Sequence, residues 1–137
     1  MTYLLDTSVL SDTRKRRRNP GLTDWISTTP SERLHVSVLT IGEIGRGVTR
    51  LIERGDGRQA AMVEGWLDDV VEEFGERIIP VSVHVAREWG RQRGAQPVPV
   101  IDALIAATAT VHGWTLVTRN TKDFDRTGTR LLNPFTD

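Results

Sequence analysis

A short apolar run near the N-terminus leads directly into an acidic residue, and this arrangement constrains the fold more than any other feature of the sequence. Tyr3–Leu5 is followed by Asp6 and then by two hydroxyl residues, Thr7 and Ser8. Ligands bind at the carboxyl ends of the strands of a parallel sheet, so strands there often end in polar residues. The sequence therefore predicts that Tyr3–Leu5 is a strand and that Asp6 lies at the ligand-binding edge of a sheet.

Beyond this run, the chain alternates short apolar segments with segments of helical periodicity, which is typical of a parallel sheet with helices on both faces. We expect further strands at residues 34–36, 78–81, 114–118 and 130–132. We expect helices at residues 9–15, 22–26, 37–54, 62–74, 82–93 and 101–112, with a break in the chain at residues 19–21 and with Gly94 as the stop of the fifth helix. Pro80 indicates either that its strand lies at an edge of the sheet or that the strand ends there. The 137 residues contain no repeat or linker and predict one α/β domain, residues 1–137, with four to five parallel strands.

Composition excludes several classes of protein. The chain has no cysteine, which rules out disulfides and thiolate zinc sites. No apolar run reaches the roughly 20 residues of a membrane span, and the first basic run follows the first apolar run, in the opposite order to a signal peptide. We therefore expect a soluble, cytoplasmic protein. The formal net charge is zero, so no overall positive field indicates a nucleic-acid-binding protein.

Three more acidic residues stand where the side chains of a parallel sheet converge. Glu43 lies in the first turns of the helix after the second strand, Asp102 begins a helix after a loop with two prolines, and Asp123 follows the fourth strand. Carboxylates packed together repel one another, and a hard divalent cation removes this repulsion because it prefers oxygen ligands. Mg²⁺ keeps several waters, one of which can attack a phosphodiester. With Asp6, these acids predict a site for a divalent cation.

Each of these acids also has a purely structural interpretation. A helix cap would explain Asp6, a capping box with Thr40 would explain Glu43, and the dipole of its helix would explain Asp102. Another acid stands two positions after Asp123 and is an alternative to it. The cap of the helix that contains Glu43 is itself either Ser37 or Thr40. The sequence leaves these interpretations open, and only the convergence of all four acids favours the site.

Four segments of the sequence are informative when they are taken in order: LLDTSVLS, VSVLTIGEI, VIDALIAATA and LVTRNTKDF. Together they resemble the PIN domain family. More narrowly, they are similar to the VapC-type toxins of type II bacterial toxin–antitoxin pairs, and the resemblance covers the whole chain. It implies a parallel α/β fold and an endoribonuclease that depends on Mg²⁺ or Mn²⁺ and cleaves RNA phosphodiester bonds with a metal-activated water.

The resemblance also implies roles for individual residues and for partners. The acids that would bind the metal and act in catalysis are Asp6, Glu43, Asp102 and Asp123. The polar residues that flank the family's site are matched by Ser8, Thr118 and Asn120. The partners implied are an RNA substrate (tRNA, rRNA or mRNA), a small VapB-type antitoxin and a second copy of the chain.

A basic run close to the first acid has three interpretations. Its residues are Arg14, Lys15, Arg16, Arg17 and Arg18. Such a run is a solvated turn in many proteins. Beside Asp6 it would instead bind RNA phosphates, and each contact would add salt-dependent affinity. The third interpretation is a contact for an acidic segment of an antitoxin.

Two other classes of function are also compatible with the sequence. A phosphatase of the haloacid dehalogenase type also places an aspartate after its first strand. That chemistry usually needs a second acid two residues later, where this chain has Ser8. The other class is a PIN-like binding module without activity, and the intact set of four acids argues against it.

Overall fold

A five-stranded parallel sheet forms the centre of the protein in the computed structural model, which describes residues 1–92 and 98–137. The strands are β1 (Tyr3–Leu5), β2 (Leu34–Ser37), β3 (Ile78–Ile79), β4 (Thr115–Val117) and β5 (Leu131–Leu132). They lie in the order β3-β2-β1-β4-β5, and every neighbouring pair is parallel. The predicted fold class is confirmed, and so is the edge position of the strand before Pro80.

Seven α-helices accompany the sheet within the described residues. They are α1 (Thr7–Asp12), α2 (Pro20–Thr28), α3 (Val38–Glu53), α4 (Gly57–Phe74), α5 (Val83–Arg91), α6 (Val100–His112) and α7 (Thr121–Phe124). Gly113, with a φ of 71°, ends α6 in the left-handed conformation that glycine adopts without strain. No helix in the described part of the chain is both long enough and apolar enough to cross a bilayer.

Two hydrophobic clusters show that helices cover both faces of the sheet. Successive residues of a strand point to opposite faces, and Leu4 and Leu5 of β1 accordingly belong to different clusters. The cluster around Leu5 includes buried residues of the first four helices. The cluster around Leu4 includes Ile105 and Ala106 of α6. The sheet is therefore the middle layer of a three-layer α/β sandwich.

Side-chain caps move several helix starts away from the predicted positions. The Asn19 side chain accepts a hydrogen bond from the Leu22 backbone N–H at 3.1 Å, so the apparent break at residues 19–21 is the beginning of α2, with Pro20 as its first residue. The Asp56 side chain caps α4 in the same way, so α4 begins five residues before the predicted start. Ser37 caps α3 through the Leu39 N–H at 3.0 Å.

Four of the segments that reach the carboxyl edge of the sheet carry the predicted acids. β1 and β4 end there directly, and α3 begins there after β2. Because α6 leads into the amino end of β4, its own first turn lies at the carboxyl edge. The predicted helix over residues 82–93 ends at Arg91, whereas Gly94, its expected stop, lies outside the described residues. Residues 96 and 97 of the loop with two prolines also lie outside them.

Candidate functional site

Asp6 is buried at the carboxyl edge, where three donors fix its carboxylate. The Thr7 backbone N–H donates to Oδ1 at 2.8 Å, and the hydroxyls of Thr118 and Ser8 donate to Oδ2 at 2.9 Å and 3.1 Å. The Asp6 backbone N–H also donates to the Val117 carbonyl at 2.9 Å. Asp6 is only 5% exposed. The helix-cap interpretation of Asp6 is therefore confirmed, but the cap uses one oxygen and leaves the other among hydroxyl groups.

The side chain of Glu43 is oriented by a hydrogen bond from the Thr7 hydroxyl of α1, which also contacts the Thr40 hydroxyl. The Thr7 hydroxyl donates to Glu43 Oε1 at 2.5 Å and also contacts the Thr40 hydroxyl at 2.9 Å. Since a hydroxyl has one proton, and Thr7 gives its proton to Glu43, Thr40 is the donor in the second contact. The capping-box interpretation of Glu43 is wrong, because Ser37 caps α3 and Thr40 lies inside the helix.

Asp102 lies in the first turn of α6, and its pKa is affected by the other three acids. The pKa of its carboxyl is raised to about 6, first by burial and then by the nearby carboxylates of Asp6, Glu43 and Asp123, in that order. All three acids are close enough to Asp102 to raise its pKa. The four acids predicted from the sequence therefore form one cluster in the structure. The position also satisfies the helix-dipole interpretation, which does not compete with membership of the cluster.

The flanking polar residues divide into those that contact the cluster and those that support its neighbours. Ser8 and Thr118 donate to Asp6, as described above. The Asn120 backbone N–H donates to the Thr118 hydroxyl oxygen at 3.1 Å, and the Asp123 N–H donates to the Asn120 carbonyl at 3.0 Å. Asn120 therefore supports the cluster through its backbone, and Asp123 sits exposed at the rim in the short helix α7.

Sequence reasoning missed Thr7 and Thr40 as members of the site. A signal was present for both of them. Thr7 directly follows the acid that ends β1, and Thr40 lies one helical turn before Glu43. Their partnership joins residues 33 positions apart, which only the packing of α1 against α3 brings together.

The chemistry of the donor set fits a hydrated, hard divalent cation. The candidate ligands are all carboxylate oxygens, which Mg²⁺ and Mn²⁺ prefer. Among residues 1–92 and 98–137, no three histidine or acidic side chains are arranged to hold a metal ion by themselves. Mg²⁺ keeps several waters and is typically bound through one or two carboxylates, so three preformed protein ligands are not required.

All five residues of the basic run are exposed, and two of them contact other side chains. Lys15 Nζ lies 3.0 Å from Asp12 Oδ1, and the Arg14 guanidinium lies 5.9 Å from the centre of the Trp66 ring. The last three arginines, residues 16–18, are exposed in the turn after α1. Arg14 and Trp66 also line a cleft of about 190 Å³ that reaches Glu43. Arg14 therefore lies on the same cleft as Glu43, and residues 16–18 present exposed cations in the turn after α1.

The sequence of the chain matches the model of a known protein family over most of its length. The PIN domain model matches residues 3–129. This chain belongs to the PIN domain family. Its relatives include the plasmid stability protein StbB of Pseudomonas syringae pv. tomato, which is 31% identical, with 96% of this chain and 97% of StbB covered. The VapC ribonuclease Y4jK of Sinorhizobium fredii is 25% identical, with 96% of each chain covered.

A third relative is similar to this PIN domain in both sequence and structure. The toxin FitB of Neisseria gonorrhoeae is 28% identical, with 98% of this chain and 99% of FitB covered. The crystal structure of FitAcB from the same organism has a TM-score of 0.87 and 27% identity to this chain, with 97% of this chain and 98% of that chain covered. The fold described above is thus similar over nearly its whole length to that of a solved structure.

Replacing Asp102 with Asn should stabilise the protein in a pH-dependent way. Because the pKa of Asp102 is raised in the folded state, the folded state binds this proton more tightly than the unfolded chain. The carboxyl therefore favours folding below about pH 4, and this benefit is lost as the pH rises through about 6. We expect Asp102→Asn to gain about 1 kcal/mol of unfolding free energy near pH 7.5, after allowance for solvent screening, and little near pH 4.

Urea unfolding at the two pH values measures this difference. Asp68→Asn, which removes the same charge from the exposed face of α4, is the matched control and should change stability at neither pH. An Asp102→Asn gain that is equal at both pH values would contradict the charge-repulsion account of the cluster.

Proposed function

We propose that this PIN domain is a metal-dependent endoribonuclease and the toxin of a type II toxin–antitoxin pair. The observation that carries the proposal is the gathering of four carboxylates at one edge of the sheet, where Thr7 links Asp6 to Glu43 and the other three acids raise the pKa of Asp102. The names of two relatives, a VapC ribonuclease and the toxin FitB, support the substrate class and the biological role. Its RNA substrates would place its action in the cytoplasm.

The chain's own residues would prepare a cation site and a place for the scissile phosphate. Asp6, Glu43, Asp102 and Asp123 are the residues that would hold Mg²⁺ or Mn²⁺. When bound, the cation supplies an acidic water and positive charge beside the phosphoryl group. Thr118 and Ser8 orient the Asp6 carboxylate, and Thr7 orients Glu43, all without neutralising either acid. The exposed arginines after α1 would bind phosphates of the RNA strand.

The phosphatase interpretation has no support from the site. The position that would carry its second acid is occupied by Ser8, whose hydroxyl donates to Asp6. The chain also belongs to the PIN domain family. The remaining alternative, a binding module without activity, is separated from the nuclease by experiment.

Asp6→Asn and Asp102→Asn should each abolish RNA cleavage while the protein stays folded. Each change removes a negatively charged oxygen from the proposed cation site and leaves the shape of the side chain intact. The measurement is cleavage of total RNA in Mg²⁺ or Mn²⁺, with sequencing of new RNA 5′ ends, and growth inhibition on expression. Asp68→Asn is the control for charge and should cleave like the wild-type protein.

Full cleavage by a folded Asp6→Asn or Asp102→Asn variant would refute the assignment of these acids. A wild-type protein that binds RNA but does not cleave it with either metal would favour the inactive binding module.

We propose that the protein forms a homodimer through α5 and α6. Several apolar side chains on these helices are exposed, among them Val83 (73%), Trp89 (42%) and Val100 (58%). A two-fold axis would bury each of them in both subunits.

Light scattering should give a dimer for the wild-type protein and a monomer for Trp89→Glu. Met62→Glu, a change at an exposed apolar residue of α4, should leave the dimer intact, and a monomeric wild-type protein would refute the proposal.

We also propose that a small VapB-type antitoxin inhibits the enzyme at its acidic cluster. The cleft beside Glu43 is lined by apolar side chains, including Ile44, Leu51 and Trp66, and suits a short segment with apolar residues. An arginine or lysine of that segment would pair with the carboxylates and occupy the position of the cation. The product of the adjacent gene should therefore suppress cleavage when it is added to the purified protein.

A matched pair of variants locates this contact. Leu51→Ala in the cleft should weaken antitoxin binding severalfold, whereas Ile52→Ala, at the next and exposed position of α3, should not. Undiminished cleavage in a tight complex would refute inhibition at the site and leave the nuclease proposal intact.

A further inference from the structure

The end of the chain is fastened to the start of α2 by a group of hydrogen bonds. The Asn19 side-chain amide donates to the Thr136 carbonyl at 2.7 Å and accepts from the Thr136 N–H at 3.1 Å. The Gly21 N–H donates to the Thr136 hydroxyl oxygen at 3.2 Å. These bonds join residues more than 110 positions apart, so they fix residues 133–136 at the end of the basic run. We refer to residues 133–136 as the C-terminal clamp.

Steric fit at Gly21 supports the same contact independently. A Cβ atom at this position would lie 2.5 Å from the Pro134 carbonyl oxygen and 2.9 Å from the Thr136 backbone nitrogen. Both neighbours are backbone atoms, which cannot move aside as a flexible side chain can. The clamp therefore reaches its position only because residue 21 is glycine.

The clamp places an aromatic ring under Arg119. The Arg119 guanidinium carbon lies 4.9 Å from the centre of the Phe135 ring, within the range of a cation–π interaction. The Phe135 N–H donates to the Asn133 side chain at 3.0 Å, which shapes the turn that presents the ring. Phe135 also packs against the hydrophobic cluster around Leu5, so the ring rests on the core.

The Arg119 guanidinium is available to an anion. Within the described residues, the ion pairs are Lys15–Asp12 and Arg91–Glu88, and neither involves Arg119. Arg77, which also lies over a phenylalanine ring, is used differently because its guanidinium donates to three backbone carbonyls. Arg119 directly follows Thr118, the residue whose hydroxyl holds Asp6. The backbone of Arg119 therefore lies beside the acidic cluster, and its guanidinium lies over the Phe135 ring.

We propose that Arg119 contacts a phosphate of the RNA strand beside the cleaved bond, and that Phe135 and the C-terminal clamp are its positioning elements. The proposal rests on the proposed ribonuclease function. Four carboxylates repel a polyanionic substrate, and a fixed arginine next to them offsets that repulsion where the strand must approach. Stacking on the ring leaves the in-plane N–H donors of the guanidinium free for two phosphate oxygens. A preplaced side chain also loses less conformational entropy on binding.

RNA binding and cleavage by four variants test this proposal. Binding of a fluorescein-labelled, single-stranded RNA of mixed sequence is measured by anisotropy in EDTA between about 50 and 200 mM KCl. Arg119→Ala should lower the slope of log K against log salt by about one. Phe135→Ala should weaken binding about two- to fivefold, and Phe135→Tyr, which keeps the ring, should restore it. Gly21→Ala, which displaces the clamp, should behave like Phe135→Ala.

Two further readouts separate positioning from a general loss of structure. In cleavage assays with Mg²⁺ or Mn²⁺, Phe135→Ala should raise KM about two- to fivefold and leave kcat unchanged. The Arg119→Ala/Phe135→Ala double variant should bind RNA no more weakly than Arg119→Ala, because Phe135 acts through Arg119. Arg58→Ala, an exposed change beyond the far end of α3 from Glu43, is the control and should keep the wild-type slope.

The outcomes distinguish the two proposals. A wild-type protein that neither binds nor cleaves RNA would overturn the ribonuclease function and this inference with it. An active wild-type protein whose salt slope is unchanged in folded Arg119→Ala would overturn only the inference. Loss of antitoxin affinity in Arg119→Ala, with RNA binding unchanged, would also overturn it and assign this surface to a protein partner. Arg119 is exposed, so Arg119→Ala remains a valid test if Phe135→Ala does not fold.

Discussion

The buried carboxylate of Asp6 is the interaction on which the rest of the site depends. One of its oxygens starts α1 by accepting the Thr7 N–H, and the other receives the Thr118 hydroxyl from the end of β4. The first strand, the first helix and the neighbouring strand thus meet at one side chain. Because Thr7 then holds Glu43 through its hydroxyl, the orientation of α1 that Asp6 sets is passed on to α3. A helix cap and a functional carboxylate are here two uses of the same group.

The donors that hold these acids are neutral, and this choice preserves the charge of the cluster. A lysine or arginine paired with Asp6 would bind it more strongly, but it would also cancel the negative charge that attracts a cation. Hydroxyl and amide groups orient the oxygens and leave the charge in place. Burial of Asp102 and repulsion by the other acids both raise its pKa, so the ionised acid destabilises the folded state, and the two hydrophobic clusters that enclose the sheet must offset this cost.

The parts of this structure that follow from local pattern could be predicted from the sequence, and those that depend on packing could not. Parallel strands place their carboxyl ends at one edge, so Asp6 and Asp123 could be located from strand positions alone. The start of α2 was misread because Asn19 and Pro20 suit both a turn and a helix start. The contact of Thr7 with Thr40 arises only when α1 packs on α3, and no short motif encodes it. The contact of Phe135 with Arg119 similarly arises only when β5 pairs with β4 and Thr136 bonds to Asn19.

The acids of the cluster and the two arginines Arg14 and Arg119 are held by different kinds of partner. The acids are held by hydroxyl and backbone N–H groups, whereas Arg14 and Arg119 lie over the aromatic rings of Trp66 and Phe135. An ion pair between the two sets would remove both charges from use. Aromatic rings fix a guanidinium without neutralising it, as hydroxyls fix a carboxylate. A chain with a formal net charge of zero can therefore present a negative site for a divalent cation and positive groups for phosphates within one small surface. For the proposed chemistry both signs are needed at once, because the cation and the polyanionic strand must meet at the same bond.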